Sequence, residues 1–335
     1  WKFVGKSKPT DANLKNTIYS LNWIPIGGFV KIKGEAGEGA EDPDSFVNKK
    51  IWQKALILFS GVAMNVVLAA VLLSIGFGIG LPQAIYDDIS PRAKVRDAEI
   101  QVITVVKDSP AEEAGLEMGD VILSVDDIKF EKMQAFSDFT DINENILLNV
   151  KIKRGEEEFS KEIAPIYLPE YNTIGFGIGM AQVGIVSYPW YLAPWEGIKE
   201  TGFFLQEILR AFGALLKNLV TTGEVAVDIS GPVGIAVLTG QVARLGLMYL
   251  LQFTALLSIN LAIINFFPFP ALDGGRFIFL IIEGIRGKPV NRKIENIIHN
   301  IGFTLLLLLV VLVTYRDFTR FGGKILEVLR QSLGI

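Results

Sequence analysis

The chain has 335 residues, half of them hydrophobic, with a mean hydropathy of +0.39 and a formal net charge of −4. That apolarity excludes an ordinary soluble protein and implies several membrane spans joined to a soluble part. The negative balance argues against a nucleic-acid partner, which needs a basic face, and the lack of cysteine excludes disulfides and Cys-ligated metals.

In chain order, Trp1 to Lys15 reads as neither a signal peptide nor a span, as expected of a fragment whose natural N-terminus lies upstream. Residues 1–54 are expected to form a segment on the cytoplasmic side. Within it, residues 17–33 alternate loosely around Gly27-Gly28, which predicts a β-hairpin, and the acidic run Glu35 to Asp44 reads as a solvated loop. Residues 55–82 carry no charge and are long enough to predict a transmembrane helix. Gly61, Ala63, Ala69 and Ala70 suit close helix packing, and Asn65, near mid-span, is placed to bond a neighbouring helix.

From about Asp87 to Pro189 the composition turns mixed and soluble. Ile100 to Val106 is apolar and β-branched, which predicts a strand. Ser109-Pro110-Ala111-Glu112-Glu113-Ala114-Gly115-Leu116 predicts a short helix with Ser at the N-cap, Pro in the first turn and Gly as the stop. Gly119 to Val125 turns into another strand, Phe136 to Asn145 into a helix, and Leu147 to Arg154 into a further strand.

Trp195 to Leu219 carries apolar residues at helical spacing, interrupted by Glu196, Lys199, Glu200, Glu207, Arg210 and Lys217. That pattern predicts an interfacial amphipathic helix over 190–220, with Trp190 and Trp195 at headgroup level. Gly231-Pro232-Val233-Gly234-Ile235 predicts a tight turn. Residues 245–272 form a second uncharged span. It ends in Asn265-Phe266-Phe267-Pro268-Phe269-Pro270-Ala271-Leu272-Asp273-Gly274-Gly275, where two prolines break the helix before a carboxylate and two glycines. Non-helical backbone at membrane depth is tolerated only where protein buries it or it lines a polar cavity. An Asp there is a candidate functional residue, because burying it without a partner costs several kcal/mol. The alternative is that Asp273 lies past the membrane edge and caps the next helix. A third span is predicted over 296–315, followed by a tail over 316–335, and His299, the single histidine, reads as an interfacial residue.

Asn-x-x-Pro-x-Pro-x-Leu-Asp-Gly-Gly closely resembles the signature that closes the active site of site-2 proteases, intramembrane zinc metalloproteases of the RseP-like type. Ser-Pro-Ala-x-x-Ala-Gly-Leu-x-x-Gly-Asp-x-Ile is similar to bacterial PDZ domains, and one such repeat is present. Trp-Ile-Pro-Ile-Gly-Gly-Phe-Val-Lys looks like the family's re-entrant β-loop, and Gly231 to Ile235 resembles its Gly-Pro-x-Gly-Ile segment. Ser60-Gly61-Val62-Ala63-Met64-Asn65 matches its Ala-Gly-Pro-x-x-Asn segment in part, with Val62 in place of Pro.

The resemblance implies a polytopic α-helical membrane protein with an inserted extracytoplasmic α+β PDZ-like domain, residues 95–168, and a short re-entrant β-hairpin. In that family the Asp is the third zinc ligand. The other two are histidines of a His-Glu-x-x-His motif on the first transmembrane helix, whose Glu is the general base. This chain contains no such motif, so the covered chain alone is expected to be inactive. Zn2+ is the implied cofactor, with Asp273 as one ligand. Asn260, Asn265, Pro268, Pro270, Gly27 and Gly28 are the implied substrate-binding residues, and Gly274, Gly275 and Asn65 shape the site. Implied substrates are single-span membrane proteins, such as anti-sigma factors or signal-peptide remnants, cut after another protease has shortened them. A peptide in the PDZ groove is a further possible partner.

The Lys/Arg distribution sets the expected orientation. Lysines crowd the segment before the first span, and the loop Arg276 to Lys293 is basic, so both belong on the cytoplasmic side of a bacterial inner membrane. The PDZ-like domain then lies outside. A membrane-anchored PDZ scaffold without catalysis is the alternative, distinguished by whether an upstream apolar helix carries His-Glu-x-x-His. A transporter with an ion-binding Asp on a broken helix fits the Pro/Asp break but lacks the expected internal repeat.

Overall fold

The computed structural model describes residues 33–34, 42–43, 45–85, 90–130, 132–155, 157–223 and 231–333, and gives the backbone alone at 292 and 320–333. The expected hairpin turn at Gly27 and Gly28 lies outside the described residues.

Helix α1 runs from Ile51 to Ile79 and is apolar on every face, the pattern of a helix surrounded by other apolar groups. It starts before the expected 55–82 because Gln53 accepts the Lys50 N–H at 3.0 Å and so caps a turn that carries Lys54. It ends at Gly80, whose φ of +132° is open to glycine but strained for other residues. A Cβ there would also meet the Ile185 side chain at 2.7 Å. The chain passes directly into strand β1, Leu81–Ala84. The uncharged run therefore continued past the helix end, and the glycine was the true stop.

The soluble part follows as β2 (Lys94–Val105), α2 (Pro110–Glu113), β3 (Val121–Val125), α3 (Met133–Ile142), β4 (Leu148–Arg154) and β5 (Glu157–Ile163). A small ribbon of β6 (Ile166–Leu168) and β7 (Thr173–Gly175) leads to β8, Ile178–Ser187. One antiparallel sheet has the order β1-β8-β2-β3-β4-β5. Its core packs Ile100, Val102, Ala111, Val125, Phe136, Val150, Ile152 and Phe176. The domain thus extends beyond the expected boundary at 168, since Phe176 is buried and β8 lies inside the sheet. Gly175 and Gly177 precede this strand and Gly179 and Gly184 lie in it, which weakens any strand signal in the sequence. Two of them allow close packing: a Cβ on Gly177 would lie 2.3 Å from the Ser109 side chain, and one on Gly179 2.4 Å from the Thr104 hydroxyl.

The predicted local signals in this domain are seen in place. Ser109 caps α2 by accepting the Glu112 N–H, Pro110 opens the helix, and Gly115 stops it at φ +79°. Asp120, fully buried, receives Arg154 Nε at 2.6 Å and a second guanidinium N–H at 2.8 Å. The same guanidinium donates to the Gly115 carbonyl at 2.8 Å, and Asp120 also accepts the Glu117 N–H. The bidentate bond holds the Arg154 pKa above its ordinary value.

Helix α4 (Ala193–Thr221) leaves the sheet, followed by α5 (Pro232–Leu245), α6 (Leu247–Phe266), α7 (Asp273–Arg286) and α8 (Arg292–Leu333). Among the described residues, three segments are long and apolar enough to cross a membrane: α1, α6 and Lys293–Thr319 of α8. α6 runs antiparallel to α1. Leu251 lies by Gly76, Ser258 donates to the Asn65 carbonyl at 2.9 Å, and Phe266 meets Phe59 edge-on at 6.1 Å. The expected second span, 245–272, is thus helical only to Phe266, after which Phe267 is extended ahead of Pro268.

α4 also runs antiparallel to α1. At one end Gly197 presses on Ser74, where a Cβ would lie 2.6 Å from the backbone nitrogen. Farther along, Phe212 packs on Phe267 at 5.4 Å. The course of α4 follows α1 over this length. The sequence pattern gave amphipathicity correctly, and the small residues at Gly197 and Ala193 that permit the packing carried no orientation.

The Gly231 to Ile235 segment gains a specific role. Asp317 of α8, buried to 3% exposure, accepts the Gly234 N–H at 2.7 Å and the Gly231 N–H at 3.3 Å. It thereby caps α5 from another helix. A Cβ on Gly231 would collide with Val313 at 2.7 Å. The sheet domain rests on the helices where Tyr249 donates to Gln101 Oε1 at 3.2 Å and Leu245 fills the space beside Gly119.

Candidate metal centre

The site forms where α6 ends. Phe267 to Leu272 cannot continue the helix because Pro268 and Pro270 each lack a donor and restrict the residue before them. Leu272 is extended, with φ −97° and ψ 164°, and Asp273 is the first residue of α7. The Asp273 carboxylate faces α1, with Oδ2 3.8 Å from the position of a Cβ on Gly61. Leu58, Phe59, Val62, Phe266, Gly274 and Phe277 line the small pocket around it.

Among the described residues this carboxylate makes no hydrogen bond or ion pair. It occupies the first turn of α7, where the dipole favours an anion, yet it does not cap the helix. The capping alternative is therefore not what is seen. An unpartnered, half-buried carboxylate beside five apolar side chains fits a metal ligand by its chemistry, because a cation supplies the missing partner. One carboxylate is an incomplete donor set. Among the described residues no group of three or more His, Asp or Glu converges.

Gly274 and Gly275 are buried, and each is required by backbone behind it. A Cβ on Gly274 would lie 2.2 Å from the Phe266 carbonyl oxygen, and one on Gly275 2.3 Å from that of Phe269. The close neighbour is thus the end of α6 and the broken turn itself. Pro270 lies against α8, where a Cβ on Gly302 would be 2.4 Å from its carbonyl oxygen. Pro268 is exposed. Asn265 and Asn260 are half-buried on α6, and Asn265 is adjacent to the pocket residue Phe266. At Asn65 the bond to α6 is made by the backbone carbonyl, while its amide side chain makes none among the described residues. Lys54 and Glu283 form an ion pair at 3.8 Å between nearly buried side chains, and Glu283 also accepts the Val290 N–H at 3.1 Å. This pair ties α7 to α1 on the far side of Asp273.

The sequence pattern read His299 as an interfacial residue and did not show its contact with the broken turn. Its Nδ1 accepts the Ala271 N–H at 2.9 Å, so it is tied to the broken turn two residues before Asp273. Its place at the start of an apolar helix carried no signal of that contact.

Comparison with known proteins gives the family. The chain is 35% identical over 284 residues to Zinc metalloprotease RasP of Oceanobacillus iheyensis, covering 82% of this chain and 62% of that protein. It is also 35% identical over 300 residues to Regulator of sigma-W protease RasP of Bacillus subtilis, covering 87% of this chain and 65% of that one. The chain therefore spans slightly less than two thirds of these relatives. The PDZ domain of an SdrC-like protein from Listeria monocytogenes aligns at 26% identity, covering 26% of this chain and 92% of that domain, with a TM-score of 0.24. The sequence profile of Peptidase family M50 matches residues 7–309, a stretch that includes the broken α6–α7 junction, and the chain belongs to that family.

Proposed function

We propose that the complete protein is an intramembrane zinc endopeptidase in which Asp273 is one metal ligand. The observation that carries this is the Asp273 carboxylate, presented on a proline-broken segment toward α1 with no protein partner among the described residues. The remaining ligands and the general base are assigned to a His-Glu-x-x-His helix that this chain does not contain. Zinc, when bound, lowers the pKa of a coordinated water to roughly 7 and polarises a carbonyl.

The chain's own residues supply the setting for that chemistry. Leu58, Phe59, Val62, Phe266 and Phe277 keep bulk water from the carboxylate, which strengthens its interaction with a cation. Asn260 and Asn265, half-buried on the last turns of α6, are assigned to hydrogen bonds with an unwound substrate backbone. Pro268, Pro270, Gly27 and Gly28 are assigned to the substrate path.

Single-span membrane proteins, anti-sigma factors among them, are the proposed substrates, and the name of the Bacillus subtilis relative, a regulator of sigma-W, supports a link to sigma-factor control. Strand β8 supports a peptide site in the sheet domain. β1 pairs with its residues Val183–Val186, and among the described residues no strand pairs with that edge over 178–181 beside α3. An extended peptide added there would form a further strand. The lysine-rich start and the basic Arg276 to Lys293 loop support an inner-membrane protein with this domain outside.

The test is zinc content and cleavage of a single-span substrate by the complete protein, beside Asp273→Asn. About one zinc per chain and a loss of at least 1,000-fold in cleavage in the variant are the expected results. Full zinc content and full activity in the variant would remove Asp273 from the centre. A complete protein without zinc or cleavage leaves the peptide-binding scaffold.

A further inference from the structure

We infer that His299 is a positioning residue for Asp273, acting through the backbone of Ala271; this rests on the assignment of Asp273 as a metal ligand. Ala271 stands two residues before Asp273 and has φ +80°, a conformation that costs a residue with a Cβ about 1–3 kcal/mol. Such a residue stays put only when its surroundings hold it. The other amide bonds of this turn stay local: Phe267 to Ile264, Phe269 to Phe267 and Leu272 to Phe269. Among the described residues, the Ala271 N–H is the turn's one hydrogen bond to another helix, and it goes to His299 Nδ1 at 2.9 Å.

Two further contacts on α8 place the imidazole. Its ring packs on Phe279 of α7 at 5.6 Å between centroids, so it bridges the turn and the helix that carries Asp273. One helical turn on, Gly302 admits the Pro270 carbonyl where a Cβ would stand 2.4 Å away. α8 therefore grips Pro270 and Ala271 together.

The energetics point away from a purely structural role. With Nδ1 accepting, the proton of the neutral ring is on Nε2, which is buried and has no hydrogen-bond partner among the described residues. A buried donor without a partner among the described residues and a strained alanine both cost free energy, and the hydrogen bond between His299 and Ala271 joins them two residues before Asp273. Glycine at 271 and phenylalanine at 299 would relieve them. What the arrangement provides is a fixed direction for the segment that ends in Asp273, the role that outer-shell groups play toward metal ligands.

The test uses the complete protein and measures zinc loss to a competing chelator, with the thermal midpoint as a check on folding. His299→Asn keeps an acceptor near the Nδ1 position, whereas His299→Gln moves it toward Nε2 at similar volume. The expected result is zinc release accelerated about 10- to 100-fold in His299→Gln and in His299→Phe, with His299→Asn within about 3-fold of the native protein. Native-like zinc retention in His299→Gln overturns the inference. Equal loss in the Asn and Gln variants also overturns it, because packing rather than the Ala271 bond would then matter. Asp273→Ala separates the two ideas: if it holds zinc like the native protein, the ligand assignment itself fails, whatever the His299 variants do.

Discussion

Asp120 and Asp273 are carboxylates in apolar surroundings, one in the sheet domain and one among the helices, and the protein treats them oppositely. Asp120 is wholly buried and saturated by a bidentate guanidinium and a backbone N–H. Asp273 is half-buried, faces α1 across Gly61, and has no partner among the described residues. Asp317 sides with Asp120, since it accepts two N–H groups at the start of α5. A folded chain satisfies the acids it uses as struts. An acid left without a partner among the described residues is what the proposed assignment of Asp273 to a metal accounts for.

The contrast breaks or sharpens on three substitutions. The largest effect on folding is expected from Asp120→Ala, which leaves Arg154 without its main partner. Because that guanidinium is about a third exposed, the expected cost is about 3 kcal/mol, less than for a fully buried pair. Hydrogen exchange at β3 and β4 should rise sharply, and unchanged protection there would show the pair to be dispensable. Asp317→Ala comes next, at about 1–2 kcal/mol, with faster exchange confined to the first turn of α5. The smallest effect is expected from Asp273→Asn in the zinc-free chain. Its thermal midpoint should stay level or rise, because removing an unpartnered charge relieves a cost rather than a bond. A fall comparable to that of Asp120→Ala would mean that Asp273 is also a strut.

Much of this was legible in the residues, for identifiable reasons. The Ser109 cap, the Gly115 stop and the strands at β2, β3 and β4 are local, so spacing and residue type were enough. The break after Phe266 was readable because proline acts on its immediate neighbours. β8 was not, since its glycines weaken any strand signal and only the sheet around it explains them. The path of α4 along α1 was hidden for a similar reason: its periodicity reports an apolar face but not what that face meets. The site divides the same way. Asp273 stood out because a charge after an uncharged run is conspicuous, while the His299 contact joins residues far apart in sequence and depends on Ala271 having a positive φ. Asp317 was equally silent until Gly231 and Gly234 were seen to point their amides at it.

The paired strands β1 and β8 carry a mechanical consequence. β1 begins two residues after α1 ends, and β8 closes six residues before α4 begins, with Tyr188 donating its N–H to the Phe77 carbonyl between them. The sheet domain is thus mounted on a stiff, double-stranded stem instead of a slack tether. Gln83 of that stem bonds Glu200 on α4 at 2.8 Å, which braces it further. A load applied to the domain is expected to pass through these strands to α1 and α4, and α1 is the helix whose Gly61 faces Asp273.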